Sequence, residues 1–133
     1  MLKTYNGRCH CGAVRFEVEL DLSQGSYRCN CSFCRRSRFW PAIAKEDRFR
    51  LIAGAEMLTE YVFNAGRYRH FFCKSCGIPP FELDTGAAQG NVYGVNIGCL
   101  EGVTEEELSK IPIKYVDGMN DDWGHAPKYT SHL

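Results

Sequence analysis

A chain of 133 residues has the size of one domain, and its 44% hydrophobic and 13% aromatic content supplies a core and excludes intrinsic disorder. Sixteen Lys and Arg balance sixteen Asp and Glu, which argues against a general nucleic-acid binder, since those carry a basic excess. No stretch approaches the roughly 18 apolar residues of a membrane span, and Met1 to Arg8 holds no apolar run of signal-peptide length, so the expectation is one cytoplasmic domain over residues 1–133 with no membrane partner.

In chain order, the first clear element is Ala13-Val14-Arg15-Phe16-Glu17-Val18-Glu19-Leu20, whose period-two alternation predicts a half-buried strand. Further strands are expected at Phe49 to Ile52, Met57 to Phe63, Tyr68 to Phe72, Asn91 to Ile97 and Ile113 to Val116. Gly and Asn turns separate several of them. Thr104-Glu105-Glu106-Glu107-Leu108 is the one helical signal, a threonine followed three residues later by glutamate as in a capping box, and Pro112 limits it to about two turns. The fold class that follows is all-β, mainly small sheets with one short helical turn. Asp121 to Leu133 has little periodicity, so its order depends on docking its aromatics.

The eight cysteines are the chemical signal. In a reducing compartment such a number points to metal or catalysis rather than to disulfides. They fall into three groups and one singleton: Cys9 and Cys11, then Cys29, Cys31 and Cys34, then Cys73 and Cys76, with Cys99 alone. A close pair on a tight turn supplies two of the four ligands zinc requires, and each outer pair is followed by a glycine, Gly12 and Gly77, suited to a turn of positive φ. Cys9 and Cys11 with Cys73 and Cys76 give four thiolates and a closed structural site. The central triplet then has three, leaving a coordination position for water or substrate, unless His10, His70, His125 or Cys99 closes it. Cys73-Lys-Ser-Cys76 also has thioredoxin-like spacing, but the βαβ context of such a motif is missing.

Charge is uneven along the chain. Met1 to Cys76 carries 13 basic against 7 acidic residues, a net of +6, while Gly77 to Leu133 carries 3 against 9, a net of −6. The basic half holds seven of the eight cysteines, so its arginines either offset the thiolates or attract an acidic small molecule. Arg35, Arg36 and Arg38 beside the triplet could pair with substrate carboxylates or form a solvated turn; Phe39 and Trp40 could wall a pocket or serve as core aromatics.

Cys9-His-Cys-Gly-Ala-Val14, Cys29-Asn-Cys-Ser-Phe-Cys-Arg-Arg-Ser37, Phe72-Cys-Lys-Ser-Cys-Gly77 and Val95-Asn-Ile-Gly-Cys-Leu100 together resemble the glutathione-dependent formaldehyde-activating enzyme family, which also contains centromere protein V. The resemblance covers nearly the whole chain. It implies a β-tent of small antiparallel sheets, a structural zinc on Cys9, Cys11, Cys73 and Cys76, and a second, open zinc on Cys29, Cys31 and Cys34 as the catalytic centre. The implied activity is making or breaking a carbon–sulfur bond in a glutathione or related thiol adduct of the S-hydroxymethylglutathione type, with Arg35, Arg36 and Trp40 as candidate substrate contacts. No general base is singled out by the sequence. Two positions depart from the family pattern: many members have a glycine shortly after the triplet, where this chain reads Arg38-Phe39-Trp40-Pro41, and the residue after Gly77, often small and polar, is Ile78. The competing expectation is a non-catalytic zinc-stabilised module that binds a protein or nucleic-acid partner.

Overall fold

The computed structural model describes residues 1–133 and is mainly β. In chain order the elements are β1 (Lys3–Arg8), β2 (Arg15–Leu20), β3 (Ser26–Cys29), α1 (Ser32–Ser37), β4 (Pro41–Lys45), β5 (Phe49–Ala53), β6 (Leu58–Val62), β7 (Tyr68–Cys73), β8 (Phe81–Asp84), β9 (Val92–Asn96), α2 (Glu105–Ser109) and β10 (Ile113–Val116). They form a three-stranded sheet ordered β1-β2-β5, a five-stranded sheet ordered β4-β9-β8-β7-β6 and a two-stranded pair of β3 with β10. The two larger sheets are antiparallel throughout, whereas β3 and β10 pair in parallel, which departs from an all-antiparallel expectation. Parallel pairing is possible because more than eighty residues intervene between those strands, room for the crossover that a hairpin cannot supply.

Each of the six strands expected from periodicity is present, and the Thr104 cap holds, its hydroxyl accepting from the Glu107 N–H at 3.1 Å. Four strands and one helix go beyond that expectation. β1, β3, β4 and β8 are short and mix polar with apolar residues, so pairing partners rather than their own pattern define them. The helix α1 starts inside the cysteine triplet: Cys31 takes the N-cap position, and its sulfur accepts from the Cys34 N–H as a serine oxygen would. No helix is long and apolar enough to cross a membrane.

The core lies between the two larger sheets. Phe16 of β2 packs on Phe49 and Phe81, with ring centroids at 5.6 and 6.2 Å, and Phe49 stacks on Tyr93 at 4.1 Å. Phe16 lies across the strand opposite it, where a Cβ on Gly7 would fall 2.1 Å from its ring, so glycine at that position makes the packing possible. Val14, Val18, Val95 and Ile97 complete the centre, each almost wholly buried.

Because side chains alternate along a strand, the five-stranded sheet shows two different faces. Phe71, Phe81, Tyr93 and Val95 face the core, whereas His70 of β7, Glu82 of β8, Gly94 of β9 and Ile43 of β4 form one cross-strand row on the other face. α1 and the C-terminal segment cover part of that second face: Phe33 stacks on His70 at 3.8 Å, and Trp123 lies 5.7 Å from Tyr68. The face is therefore covered but not filled.

Gly54 and Gly102 both adopt left-handed φ, at 90° and 74°, but a Cβ at Gly54 would meet the Ala13 carbonyl oxygen at 2.1 Å while one at Gly102 meets nothing. Gly102→Ala should cost about 1–2 kcal/mol, the penalty of the left-handed backbone alone. Gly54→Ala should cost clearly more, or prevent folding, because backbone must move. Paired urea denaturation curves test this, and equal midpoints would show that the turn at Ala13 yields freely.

Candidate metal centres and the cavity beside one of them

Cys9 and Cys11 sit on the turn between β1 and β2, and Cys73 and Cys76 on the turn that ends β7. Both turns have the same local construction. The Gly12 N–H donates to the Cys9 carbonyl at 3.1 Å and the Gly77 N–H to the Cys73 carbonyl at 2.8 Å, and the two glycines hold φ of 80° and 75°. Backbone N–H groups also point at sulfur, from Val14 to Cys9 and from Ser75 to Cys73, each at 3.4 Å. Such donors stabilise thiolate.

The four sulfurs lie within 4.8 Å of one another, with Cys9–Cys11 and Cys11–Cys73 both at 3.6 Å. A disulfide needs about 2.05 Å. Tetrahedral zinc with Zn–S bonds of about 2.3 Å implies sulfurs about 3.8 Å apart, so the cluster is proportioned for a metal and not for a disulfide. Against the upward push of burial, backbone donors from Cys11 and Ile78 lower the Cys76 thiol to about 6, and the Ala13 N–H lowers Cys11, so two of the four start toward the deprotonated form a metal requires. Cys99 lies near this cluster but outside it; burial, then the neighbouring Cys9 and Cys76, push its thiol up to about 12, the behaviour of a packed thiol rather than a ligand.

Cys29 ends β3, Cys31 caps α1 and Cys34 stands on its first turn. Their sulfurs again lie within 4.8 Å of one another. Cys31 accepts the Cys34 N–H at 3.3 Å and Cys29 accepts the Cys31 N–H at 3.4 Å. Hydrogen bonds from Cys29 and Cys34 hold the Cys31 thiol far below its ordinary value, while the contact with Cys31 raises Cys29 and the contacts with Cys29 and Cys31 raise Cys34.

No histidine, aspartate, glutamate or further cysteine joins the triplet as a fourth donor. His10 is exposed, and His125 is exposed and set against Asp122 at 3.0 Å. The opening that remains faces a cavity of about 680 Å³, walled by the three cysteines, by the row His70, Glu82, Gly94 and Ile43, and by Gly118, Met119, Asp121 and Trp123 of the C-terminal segment. None of the four cysteines of the first cluster reaches it. Gly118 packs closely on the triplet: a Cβ there would lie 2.4 Å from the Cys29 sulfur.

The arginines and the tryptophan next to the triplet in sequence do not line this cavity. Arg36 donates to the Ser32 carbonyl at 2.8 Å across its own helix, Arg38 donates to the His132 carbonyl at 2.7 Å, and the exposed Arg35 lies outside the cavity wall. Trp40 donates its indole N–H to Ser26 at 2.8 Å, beneath the Arg28 guanidinium, and packs against the core. α1 turns the arginine side chains outward. The charges on the cavity wall come from distant segments instead: Lys114, Asp121, the Arg67–Asp84 pair joined at 2.8 and 3.0 Å, and the His70–Glu82 pair. Among these, Lys114 and Asp121 have no ion-pair partner. Their separation in sequence hid them; the register of the sheet, the β3–β10 pair and the C-terminal segment together bring them to one cavity.

The profile of the family described as glutathione-dependent formaldehyde-activating enzyme matches residues 4–115. A crystal structure of a Rhodobacter sphaeroides protein is 40% identical, with a TM-score of 0.70, covering 82% of this chain and 99% of that one. The family match ends one residue before Val116, so the C-terminal wall of the cavity lies outside it.

The two clusters should separate experimentally. Zinc titration of metal-stripped protein, followed by elemental analysis, should give two equivalents, one released by a mild chelator. Cys31→Ser should leave one equivalent in a folded protein, and Cys73→Ser should abolish folding, because a structural zinc contributes folding free energy directly. Equal unfolding of both variants would remove the distinction between the sites.

Proposed function

The chain belongs to the glutathione-dependent formaldehyde-activating enzyme family, and from that premise we propose that it is a zinc-dependent carbon–sulfur lyase or synthase acting on a hydroxymethyl adduct of glutathione or a related thiol. We take residues 1–133 as one such domain. The observation that carries the reading is the position of the three-sulfur cluster, open on one side, in the wall of the 680 Å³ cavity.

Cys29, Cys31 and Cys34 would hold the second zinc, whose chemistry when bound is Lewis-acid stabilisation of a sulfur anion. Cys9, Cys11, Cys73 and Cys76 would hold the first, with a structural role. The remainder concerns the protein's own groups. Tyr27, Phe63, Tyr68 and Trp123 supply aromatic walls on which an extended thiol can lie. Lys114 and Asp121, one cation and one anion without ion-pair partners, suit the carboxylate and ammonium ends of a zwitterionic peptide such as glutathione. Positioning of this kind lets the sulfur and the carbonyl carbon meet in a geometry that free solution seldom offers.

In the direction of cleavage, the C–S bond of R–S–CH2–OH breaks with its electron pair on sulfur, the C–O bond becomes C=O, and formaldehyde leaves. The hydroxyl proton must be accepted. In synthesis each movement reverses.

Zinc-loaded protein should accelerate adduct formation or cleavage at least about a hundredfold over the uncatalysed rate, a modest acceleration for an enzyme, when glutathione and other thiols are mixed with formaldehyde and followed by NMR. Cys31→Ser should return the rate to background. Absence of acceleration with every thiol tested would end the reading.

A further inference from the structure

We propose that His70 is the group that takes the hydroxyl proton of the adduct in cleavage and returns it in synthesis, with Glu82 as its positioning partner; this rests on the function proposed above. His70 and Glu82 are direct cross-strand neighbours of β7 and β8, and both lie on the cavity wall that also holds Cys29, Cys31 and Cys34. The imidazole Nδ1 is 3.1 Å from the Glu82 Oε2, and both side chains are nearly buried, at 6% and 12% exposure. Neither ring nitrogen is sealed away from solvent without a partner, and His70 is part of the cavity wall. A neutral imidazole offers one nitrogen lone pair to a proton, and the Glu82 carboxylate beside it can balance the charge that results.

Two further features hold this arrangement. Gly94 is the cross-strand neighbour of Glu82 on the other side, and a Cβ there would fall 2.8 Å from the carboxylate, so glycine leaves the room Glu82 occupies. Phe33, between Cys31 and Cys34 in sequence, stacks on the imidazole at 3.8 Å with 26° between planes, which ties the ring to the helix that carries the triplet. A histidine placed only for core packing would not need a place on the cavity wall.

Other candidates on the wall are engaged or unsuited. Burial, together with Asp84, raises the Tyr68 phenol well above its ordinary value and keeps it protonated. Asp84 is committed to Arg67, and Asp121 accepts the Trp123 indole N–H at 2.8 Å. Lys114 is a cation at neutral pH and has no lone pair to offer. His10, His125 and His132 lie outside the cavity.

In cleavage, the O–H electron pair forms the C=O bond, the C–S pair goes to sulfur, and the proton goes to the imidazole of His70, giving an imidazolium whose charge Glu82 balances. No outside oxidant or reductant is needed. The other charges near the ring are the Arg67–Asp84 pair on the same sheet, Asp121 and Lys114 on the cavity wall, the triplet sulfurs, and Arg69 and Glu60, which pair with each other. The rings of Phe33 and Phe63 are the apolar groups packed on its faces.

The test is kinetic, on zinc-loaded protein with the thiol and formaldehyde pair that wild type processes. His70→Gln should lower kcat by about 10²–10⁴-fold, the usual contribution of acid–base catalysis, with zinc content unchanged and KM within about threefold. Glu82→Gln should lower kcat at least about tenfold with KM and zinc content unchanged, because the imidazolium loses its anionic neighbour. Added imidazole should restore part of the rate of His70→Ala, a result that loss of packing alone would not produce. A folded His70→Gln with kcat within threefold of wild type would overturn the assignment while leaving the enzyme reading intact. An inert wild type would remove both. Where the His70 variants fail to fold, Glu82→Gln decides: a kcat lowered at least about tenfold at unchanged KM and zinc content supports the dyad, and a kcat within threefold of wild type overturns it.

Discussion

The structure depends on four sulfurs held within 4.8 Å of one another by two turns that are far apart in sequence, since Cys11 and Cys73 are separated by 62 residues. One turn joins the first two strands of the smaller sheet, and the other ends a strand of the larger one. Whatever binds the four sulfurs joins the sheets. This matters energetically because four neighbouring thiolates repel, whereas a divalent metal turns that repulsion into attraction and contributes its binding free energy to folding. The aromatic core of Phe16, Phe49 and Phe81 fills the space between the sheets, and the sulfur cluster fixes one end of it.

The chemical face follows from the same constraint by simple periodicity. Cys73 is wholly buried and turned to the core side, so along β7 the residues at odd offset from it, His70 and Tyr68 with them on the cavity wall, belong to the opposite face in the pleat. A polar row on a sheet face would ordinarily be left to water. Here α1 and the C-terminal segment cover it, and the partial cover creates a cavity whose one end is the second sulfur cluster. The two clusters therefore sit in different settings: one is a closed tetrad without access to the cavity, the other a triad at its edge. Ligand number and access agree, which is why one reads as structural and the other as reactive.

Much of this was legible in the cysteine spacing, and the rest was not, for reasons that particular residues make clear. Cys9-His-Cys and Cys73-Lys-Ser-Cys announce themselves because metal ligation requires close pairs on tight turns, a local property. The alternation of Arg15 to Leu20 is likewise local and gave β2 its place. The capped turn at Thr104 was readable from two residues. By contrast, the His70–Glu82 pair exists only because β7 and β8 pair in one register, and a slip of one residue would put Phe81 or Leu83 opposite His70. Arg35, Arg36 and Trp40 show the reverse error of proximity. Their nearness to the triplet in sequence does not carry into the cavity, since a helix that begins at Cys31 sends its next turn outward and Pro41 starts a new strand. The helix itself was missed because cysteine is seldom counted as a cap, although its sulfur accepts an N–H at 3.3 Å here.

Arg38 shows how the C-terminal segment becomes part of the site. It ends α1 with φ of 59° and ψ of 32°, a left-handed conformation that costs an ordinary residue roughly 1–2 kcal/mol and explains why a glycine would be at ease after such a triplet. A glycine, however, has no side chain, and the Arg38 guanidinium is the group that reaches the His132 carbonyl. A second tie lies near the other end of the segment, where Asn30, from within the triplet, donates to Asp117 at 2.8 Å and accepts the Met119 N–H at 2.9 Å. Two ties on residues adjoining the sulfur cluster bring Gly118 against Cys29 and Trp123 against Tyr68, and so complete a wall that the family-matched region by itself leaves open. The local strain at Arg38 is thus coupled to the shape of the cavity: relaxing it to glycine would favour the turn and release one of the two contacts that hold the C-terminal wall in place.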